Sequence, residues 1–240
     1  MNPVIEARLH AALRELGSTL VAYSGGVDST YLAYAAHEVL GSHALAAIAD
    51  SPSLPRAELE EALEVAETAG FPVEVVRTNE FERDAYLRNA PDRCFHCKEA
   101  LFDELFPLAE ERGLEHVCLG TVTDDLGDVR PGLESAAGLK VWDKPQAACL
   151  SSRIPHGTRV SIEALAAIER AEQAVHDLGF EVVRVRHFDG TARVEVGAHE
   201  LAKAADKRDA IIEAVRSAGY ERVSIDRYRR GGARLPLAEA

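Results

Sequence analysis

The sequence predicts an α/β protein, a parallel doubly wound sheet followed by a smaller C-terminal α+β domain. Three observations predict it. Short apolar runs of strand length alternate with helix-period segments through the first half, which is how a parallel sheet covered on both faces is written. A loop rich in glycine and serine, SGGVDS (24–29), interrupts the first strand-to-helix junction. Beyond about residue 155 the order of elements changes to α-β-β-α-β.

Residues 4–16 place apolar and charged side chains at helical spacing. TLVAY (19–23) reads as a buried strand, and after the glycine loop a helix runs to about Leu40, stopped by Gly41. HALAAIAD (43–50) is a second strand, RAELEEALEVAETAG (56–70) a helix ending at glycine, and FPVEVVRT (71–78) a third strand. RCFHCK (93–98) is expected to be a loop leading into a helix over 98–113, kinked or split at Pro107, before a fourth strand at 116–121. Residues 121–160 are rich in Gly, Pro and charge and lack periodicity, so the domain boundary is set near 155, giving domains 1–155 and 156–240. The second domain reads as helix 160–179, strand 180–188, an Asp-Gly turn, strand 192–197, helix 206–219 and strand 221–228, with helices on one mixed sheet.

Composition bounds the function. The 240 residues suffice for a hydrophobic core, and 47% hydrophobic with 28% charged is ordinary for a soluble globular protein. The N-terminal segment is an amphipathic helix and no run has the apolar length of a membrane span, so the expectation is a cytoplasmic protein without a membrane partner. With 27 basic against 40 acidic side chains, a net charge of −13, extended nucleic-acid binding is disfavoured. In a reducing compartment the four cysteines, Cys94, Cys97, Cys118 and Cys149, point to metal, catalytic or core roles before disulfides.

SGGVDS follows a strand and opens a helix, where unpaired N–H groups and the helix dipole favour an anion. Gly25 and Gly26 let the backbone approach phosphate; Ser24, Ser29 and Thr30 add hydroxyls, and Asp28 either serves Mg²⁺ or caps the helix. Neither the Walker pattern nor GxGxxG is present. The stretch resembles the PP-loop, SGGxDS, of ATP pyrophosphatases, which implies an adenine nucleotide alpha hydrolase-like sheet, ATP and Mg²⁺ as cofactors, and transfer of AMP to a substrate oxygen with release of pyrophosphate. Asp50 ends the second strand, where the ribose or adenine would lie, and Asp124 and Asp125 follow the fourth strand, where ligands bind in open parallel sheets; Asp125 is a candidate for Mg²⁺, with loop stabilisation the alternative.

Cys94 and Cys97 form a CxxC, and Cys149 stands in PQAACLSSRIPHG. Three thiolates can hold a 4Fe–4S cluster and leave one iron open, while zinc would need a fourth ligand, for which His156 is available and His96, between the two cysteines, is poorly placed. Cys118 lies in an apolar strand and reads as core. Lys98, beside the CxxC, either tunes the thiolates or is simply exposed. Arg130 and Arg153 flank the proposed centre, and their guanidinium forks suit phosphates and carboxylates. Arg184 and Arg186, two apart on a strand, share a face.

Taken together, SGGVDST (24–30), GTVTDDLGDVRPGL (120–133), ACLSSRIPHGT (148–158), RVR (184–186) and DRYRRG (226–231) resemble the LarE family of sulfur-inserting enzymes in nickel-pincer nucleotide assembly. The resemblance implies an ATP-dependent sulfurtransferase that adenylates pyridinium-3,5-biscarboxylic acid mononucleotide and converts each carboxylate to a thiocarboxylate. It implies that Arg184 and Arg186 bind the mononucleotide phosphate, with Glu172 facing the same site, and that the chain forms a homo-oligomer, a hexamer. The family has two sulfur sources: a sacrificial cysteine at the Cys149 position, left as dehydroalanine, or a 4Fe–4S cluster on three cysteines whose open iron carries an extra sulfide. Cys94 and Cys97 beside Cys149 favour the cluster kind, in which Cys149 is a ligand. The rivals are a PP-loop tRNA thiolase, which the acidic charge disfavours, and a nucleotide sensor or Fe–S carrier that leaves ATP uncleaved, which Asp28 and Ser29 disfavour.

Overall fold

The computed structural model describes residues 3–120 and 149–229. It divides into two compact units, one formed by Met1–Asn79 with Lys98–Ala147 and the other by Glu80–Cys97 with Ala148–Ala240.

The first unit carries helix α1 (Pro3–Leu16), strand β1 (Thr19–Tyr23), helix α2 (Val27–Leu40), strand β2 (Ala44–Asp50), helix α3 (Arg56–Ala69), strand β3 (Val73–Arg77) and strand β4 (His116–Leu119). Its sheet has the order β3-β2-β1-β4, every pair parallel, with Thr19 opposite both Ala44 and His116. Alternation along β1 and β2 divides the core. Val21, Tyr23, Ala46 and Ile48 pack with Ala33, Ala36, Ala62 and Ala66 of α2 and α3. Leu20 and Ala47 point the other way, toward Leu105, Leu108 and Ala109. Both faces of the central strands are thereby buried, which is why TLVAY and ALAAIAD read as nearly unbroken apolar runs. The parallel α/β sheet expected from the sequence is present.

Those last residues belong to helix α5 (Arg93–Glu111), which follows the short helix α4 (Asp84–Leu87). Two local expectations are corrected. The CxxC segment is not a loop: it forms the opening of α5 and belongs to the second unit. The helix is also not split at Pro107, which lies inside it. Pro107 and Asp103, whose carbonyl loses its intrahelical donor, are both exposed, while Leu105, Leu108 and Ala109 anchor the helix on the sheet.

The second unit adds helix α6 (Ile162–Asp177), strands β5 (Val183–Phe188) and β6 (Thr191–Val196), helices α7 (Leu201–Asp206) and α8 (Arg208–Ser217), and strand β7 (Arg222–Arg227). Ser161 caps α6, its hydroxyl accepting from the Ala164 N–H at 3.1 Å. The sheet order is β5-β6-β7, antiparallel then parallel, so the mixed sheet is as expected. Asp189 and Gly190 both take positive φ, 38° and 77°, as a tight two-residue hairpin turn requires. The helix expected over 206–219 is present as α8, and a further short helix that was not expected, α7, precedes it and meets it at Lys207. β6 is buried along its whole length, and Val194, Val196, Ile211 and Val215 centre the core. The division also differs from a boundary at 155: residues 148–155 and the distant segment Glu80–Cys97 both belong to this second unit.

At the edge of that core, half-buried His187 sets its Nδ1 3.1 Å from the Tyr220 hydroxyl, with the rings edge to face. Burial pushes the His187 pKa below 6.5 and the Tyr220 pKa up. An imidazole that resists protonation when folded contributes stability that is full above pH 6.5, its unfolded value, and is lost as pH falls through the lower folded value. Urea denaturation at stepped pH is expected to show this acid-side loss in the native protein and a flatter profile in His187→Gln.

Candidate functional site

In the first unit the loop after β1 is shaped by what surrounds it. Gly25 has φ +70°, and a Cβ there would stand 2.7 Å from the Ala62 Cβ of α3. Glycine is therefore required by conformation and by space. The first intrahelical bond of α2 runs from the Thr30 N–H to the Gly26 carbonyl at 2.9 Å, so the N–H groups of the preceding turn lack intrahelical acceptors. The hydroxyls are spent on the loop itself. Ser29 Oγ accepts from the Ser24 N–H at 3.1 Å and donates to the Gly26 carbonyl at 3.0 Å, and Thr30 Oγ1 donates to the same carbonyl at 2.8 Å. Ser24 Oγ closes the set, 3.0 Å from Ser29 Oγ. Ser29 and Thr30 are thus buried braces, while Ser24 and Asp28 are exposed.

Gly120, just past β4, was not among the residues expected at the site. A Cβ on it would fall 2.8 Å from both the N and Cα of Ser29, so the chain leaves β4 pressed against the first turn of α2. Asp50, at the end of β2, pairs with Arg56 Nη1 at 2.5 Å, and Arg56 Nη2 donates to the Ser51 and Leu54 carbonyls at 2.8 and 2.7 Å. Asp50 therefore closes the β2–α3 turn. Asp124, Asp125 and Arg130 lie outside the described residues.

The other candidates gather in the second unit, and Asn89 holds them together. It is fully buried with φ +54°, a left-handed conformation that asparagine tolerates better than most side chains. Its Nδ2 donates to the Pro155 and Thr158 carbonyls at 2.9 and 3.0 Å, and its own carbonyl accepts from the Gly157 N–H at 3.0 Å. Its Oδ1 accepts from Arg93 Nη1 at 2.6 Å, and the same nitrogen donates to the Ser151 carbonyl at 2.8 Å. Tyr86 meets Ser151 hydroxyl to hydroxyl at 2.8 Å. The segment bearing Cys94 and Cys97 is thereby fastened to the one bearing Cys149. His156, the fourth zinc ligand considered, turns Nδ1 to the Asn89 carbonyl at 3.2 Å.

Cys94 and Cys149 are exposed, and Cys97 is half-buried. The Cys97 thiol is pushed up to about 12 by burial first, then by the charges of Glu80, Cys149 and Cys94, against the opposing pull of Arg93. As the side chains stand, no three His, Cys, Asp or Glu among the described residues are arranged to hold a metal ion. Cys94, Cys97 and Cys149 match a cluster in donor type and number but not in arrangement. Cys118 packs against the core of the first unit, as its apolar strand led one to expect.

The arginines divide by partner. Arg153, 2% exposed, grips Glu172 with two bonds of 2.9 Å, and its Nη1 donates to the Cys149 carbonyl at 3.0 Å. Glu172 also accepts from the Val185 N–H at 2.8 Å. Arg186 pairs with Glu195 at 2.9 Å and reaches the Ser152 carbonyl at 3.3 Å. Both expected anion binders are thus engaged within the unit. Arg184 is half-buried, has no ion pair among the described residues, and donates to its neighbour Val183's carbonyl at 2.7 Å. Desolvation first, and then Arg153, lowers its pKa.

An open parallel sheet with an anion-ready glycine turn at a strand exit is the architecture of a PP-loop enzyme that uses ATP, and relatives bear this out. The chain matches no established family profile. It is 40% identical to an uncharacterized protein of Synechocystis sp., over 78% of this chain and 79% of that protein. It is 29% identical to the pyridinium-3,5-bisthiocarboxylic acid mononucleotide synthase of Lactiplantibacillus plantarum, over 92% of this chain and 90% of that protein. It is 27% identical to a component of the glutamine-hydrolyzing GMP synthase of Methanopyrus kandleri, over 55% of this chain and 43% of that protein. These similarities put the chain in one family with the Synechocystis protein and support a LarE-like member of the PP-loop enzymes. Among the described residues no helix is long and apolar enough to cross a membrane.

Gly120→Ala is expected to displace the start of α2 and weaken ATP binding about tenfold or more, with the circular dichroism of the fold retained; calorimetric titration checks it. In a timed alkylation followed by peptide mass spectrometry, Cys94 and Cys149 should label before Cys97. Asn89→Ala should lose about 2–4 kcal/mol of stability and bring Cys97 labelling forward.

Proposed function

We propose that the chain is an ATP-dependent sulfurtransferase that activates the carboxylates of pyridinium-3,5-biscarboxylic acid mononucleotide by adenylation and converts them to thiocarboxylates. The observation that carries this reading is the fastening of the Cys94–Cys97 segment to the turn at Cys149, in one unit with Arg184, which has no ion pair among the described residues. The substrate class follows from the similarity to the Lactiplantibacillus enzyme.

In this reading the first turn of α2 receives the ATP phosphates, and Asp28, with Asp125, holds the Mg²⁺ that offsets their charge. Arg184 receives the phosphate of the mononucleotide. Arg153, clamped by Glu172, fixes the Cys149 carbonyl and so the direction of its thiol. A 4Fe–4S cluster on Cys94, Cys97 and Cys149 would supply a sulfide at the iron that the cysteines leave open. Cys97, half-buried with a raised pKa, suits a ligand better than a free nucleophile. The proposed assembly is a homo-oligomer in the cytoplasm.

The test is anaerobic. Iron-loaded protein with ATP should release pyrophosphate in the presence of the pyridinium mononucleotide and not with tRNA, and a thiocarboxylate should appear. Repeated turnover without loss of H₂S mass from the chain supports the cluster, whereas one turnover with that loss at Cys149 assigns the sulfur to the cysteine. Arg184→Ala should lower kcat/KM on the order of tenfold to a hundredfold with little change in Tm. Arg153→Ala should instead cost about 3–5 kcal/mol of stability, because it leaves Glu172 buried and unpaired.

A further inference from the structure

The strands of the second unit sort their side chains between two faces. Val185, Val194 and Ile225 stand opposite one another in register and pack into the core. Arg184, Glu195 and Asp226 form the next row, and so project from the other face of the sheet. Tyr228 continues the ladder one residue past β7, its N–H donating to the Val196 carbonyl at 2.7 Å. Two positions beyond Asp226, it falls on the face of Arg184. Tyr228 is 36% exposed, an open aromatic surface in a polar setting.

Arg186, also on this face, ties the setting together. Its Nη1 reaches the Ser152 carbonyl at 3.3 Å and its Nη2 the Arg229 carbonyl at 3.4 Å. One buried guanidinium thus joins the turn after Cys149 to the residue after Tyr228. Arg186 is itself committed to Glu195, whereas Arg184 has no ion pair among the described residues. The face therefore offers a half-buried cation and an exposed phenol ring, with Arg186 linking it to the turn that follows Cys149.

We propose that Tyr228 is the ring-recognising residue of the substrate site: the phosphate of a pyridinium mononucleotide rests on Arg184, and its cationic ring lies over the phenol face of Tyr228. This rests on the reading of Arg184 as the seat of the mononucleotide phosphate. β5 and β7 are two strand spacings apart, about 10 Å, a gap that a ribose phosphate can bridge. An electron-poor pyridinium over the electron-rich face of a phenol gains cation–π and stacking energy together. The ring supplies this attraction and the hydroxyl does not, so phenylalanine serves at position 228 and an aliphatic side chain fails. The same contact discriminates between ligands, since a sugar phosphate without the ring draws on Arg184 alone.

Wild-type protein, Tyr228→Phe, Tyr228→Leu and Arg184→Ala are titrated calorimetrically with pyridinium-3,5-biscarboxylic acid mononucleotide and, separately, with ribose 5-phosphate. Tyr228→Leu should bind the mononucleotide about tenfold more weakly, and ribose 5-phosphate as the wild type does. Tyr228→Phe should stay near wild type with both ligands, and Arg184→Ala should weaken both. Unchanged mononucleotide affinity in Tyr228→Leu, or an equal loss for the two ligands, overturns the proposal and leaves Arg184 as the phosphate seat. A loss in Tyr228→Phe as large as that in Tyr228→Leu also overturns it, by making the hydroxyl the contact. A wild type that binds neither ligand, or an Arg184→Ala that binds both as the wild type does, overturns the phosphate reading itself, and this inference with it.

Discussion

The second unit depends on one buried asparagine. Asn89 uses both ends of its amide and its own carbonyl to join residues 86–93 to residues 151–160, across separations of 65 to 69 positions in the chain. Without it two loops would each leave backbone carbonyls unpaired in a dry interior, and hydrogen bonding there is close to obligatory. The left-handed backbone is part of the same solution, since it turns Asn89 to face three acceptors at once. This fastening holds the two cysteine-bearing segments together.

Around that node, charge is kept in order by pairing. Arg153 with Glu172 and Arg186 with Glu195 are pairs nine-tenths buried or more, of the kind whose desolvation cost is offset only by close, multiple hydrogen bonds. Each arginine also reaches a carbonyl of the turn after Cys149. The pairs therefore act as rigid struts that carry the geometry of the β5–β6 sheet to that turn. Arg184 gains by contrast. It is half-buried with no ion pair among the described residues, so an anion there would relieve a partly desolvated cation.

Much of the fold was legible in the sequence because it is written locally. TLVAY became a strand at its expected limits, and the Asp-Gly turn and the mixed sheet followed from short-range pattern. The helical start of the CxxC segment was not legible, since it rests on Arg93 being held by the distant Ser151 as well as by Asn89. The discontinuous make-up of the second unit was equally hidden, because no local signal marks contacts more than sixty residues apart. Among site residues, types were legible and partners were not. Arg153 and Arg186 looked like anion binders as Arg184 did, and only their carboxylate neighbours distinguish them. Asn89 and Gly120 carried a faint signal, a small or amide residue at a turn, that many unimportant positions share.

The order in which the chain is made adds a constraint of its own. Residues 80–97 leave the ribosome well before their partners at 149–160, an interval of roughly several seconds at ordinary rates of synthesis. During that interval the first unit's β1–β3 strands can already pair, while Cys94 and Cys97 wait with neither Cys149 nor the Asn89 acceptors available. The second unit can therefore close only after translation has passed residue 160, so the timing of its assembly is set by topology.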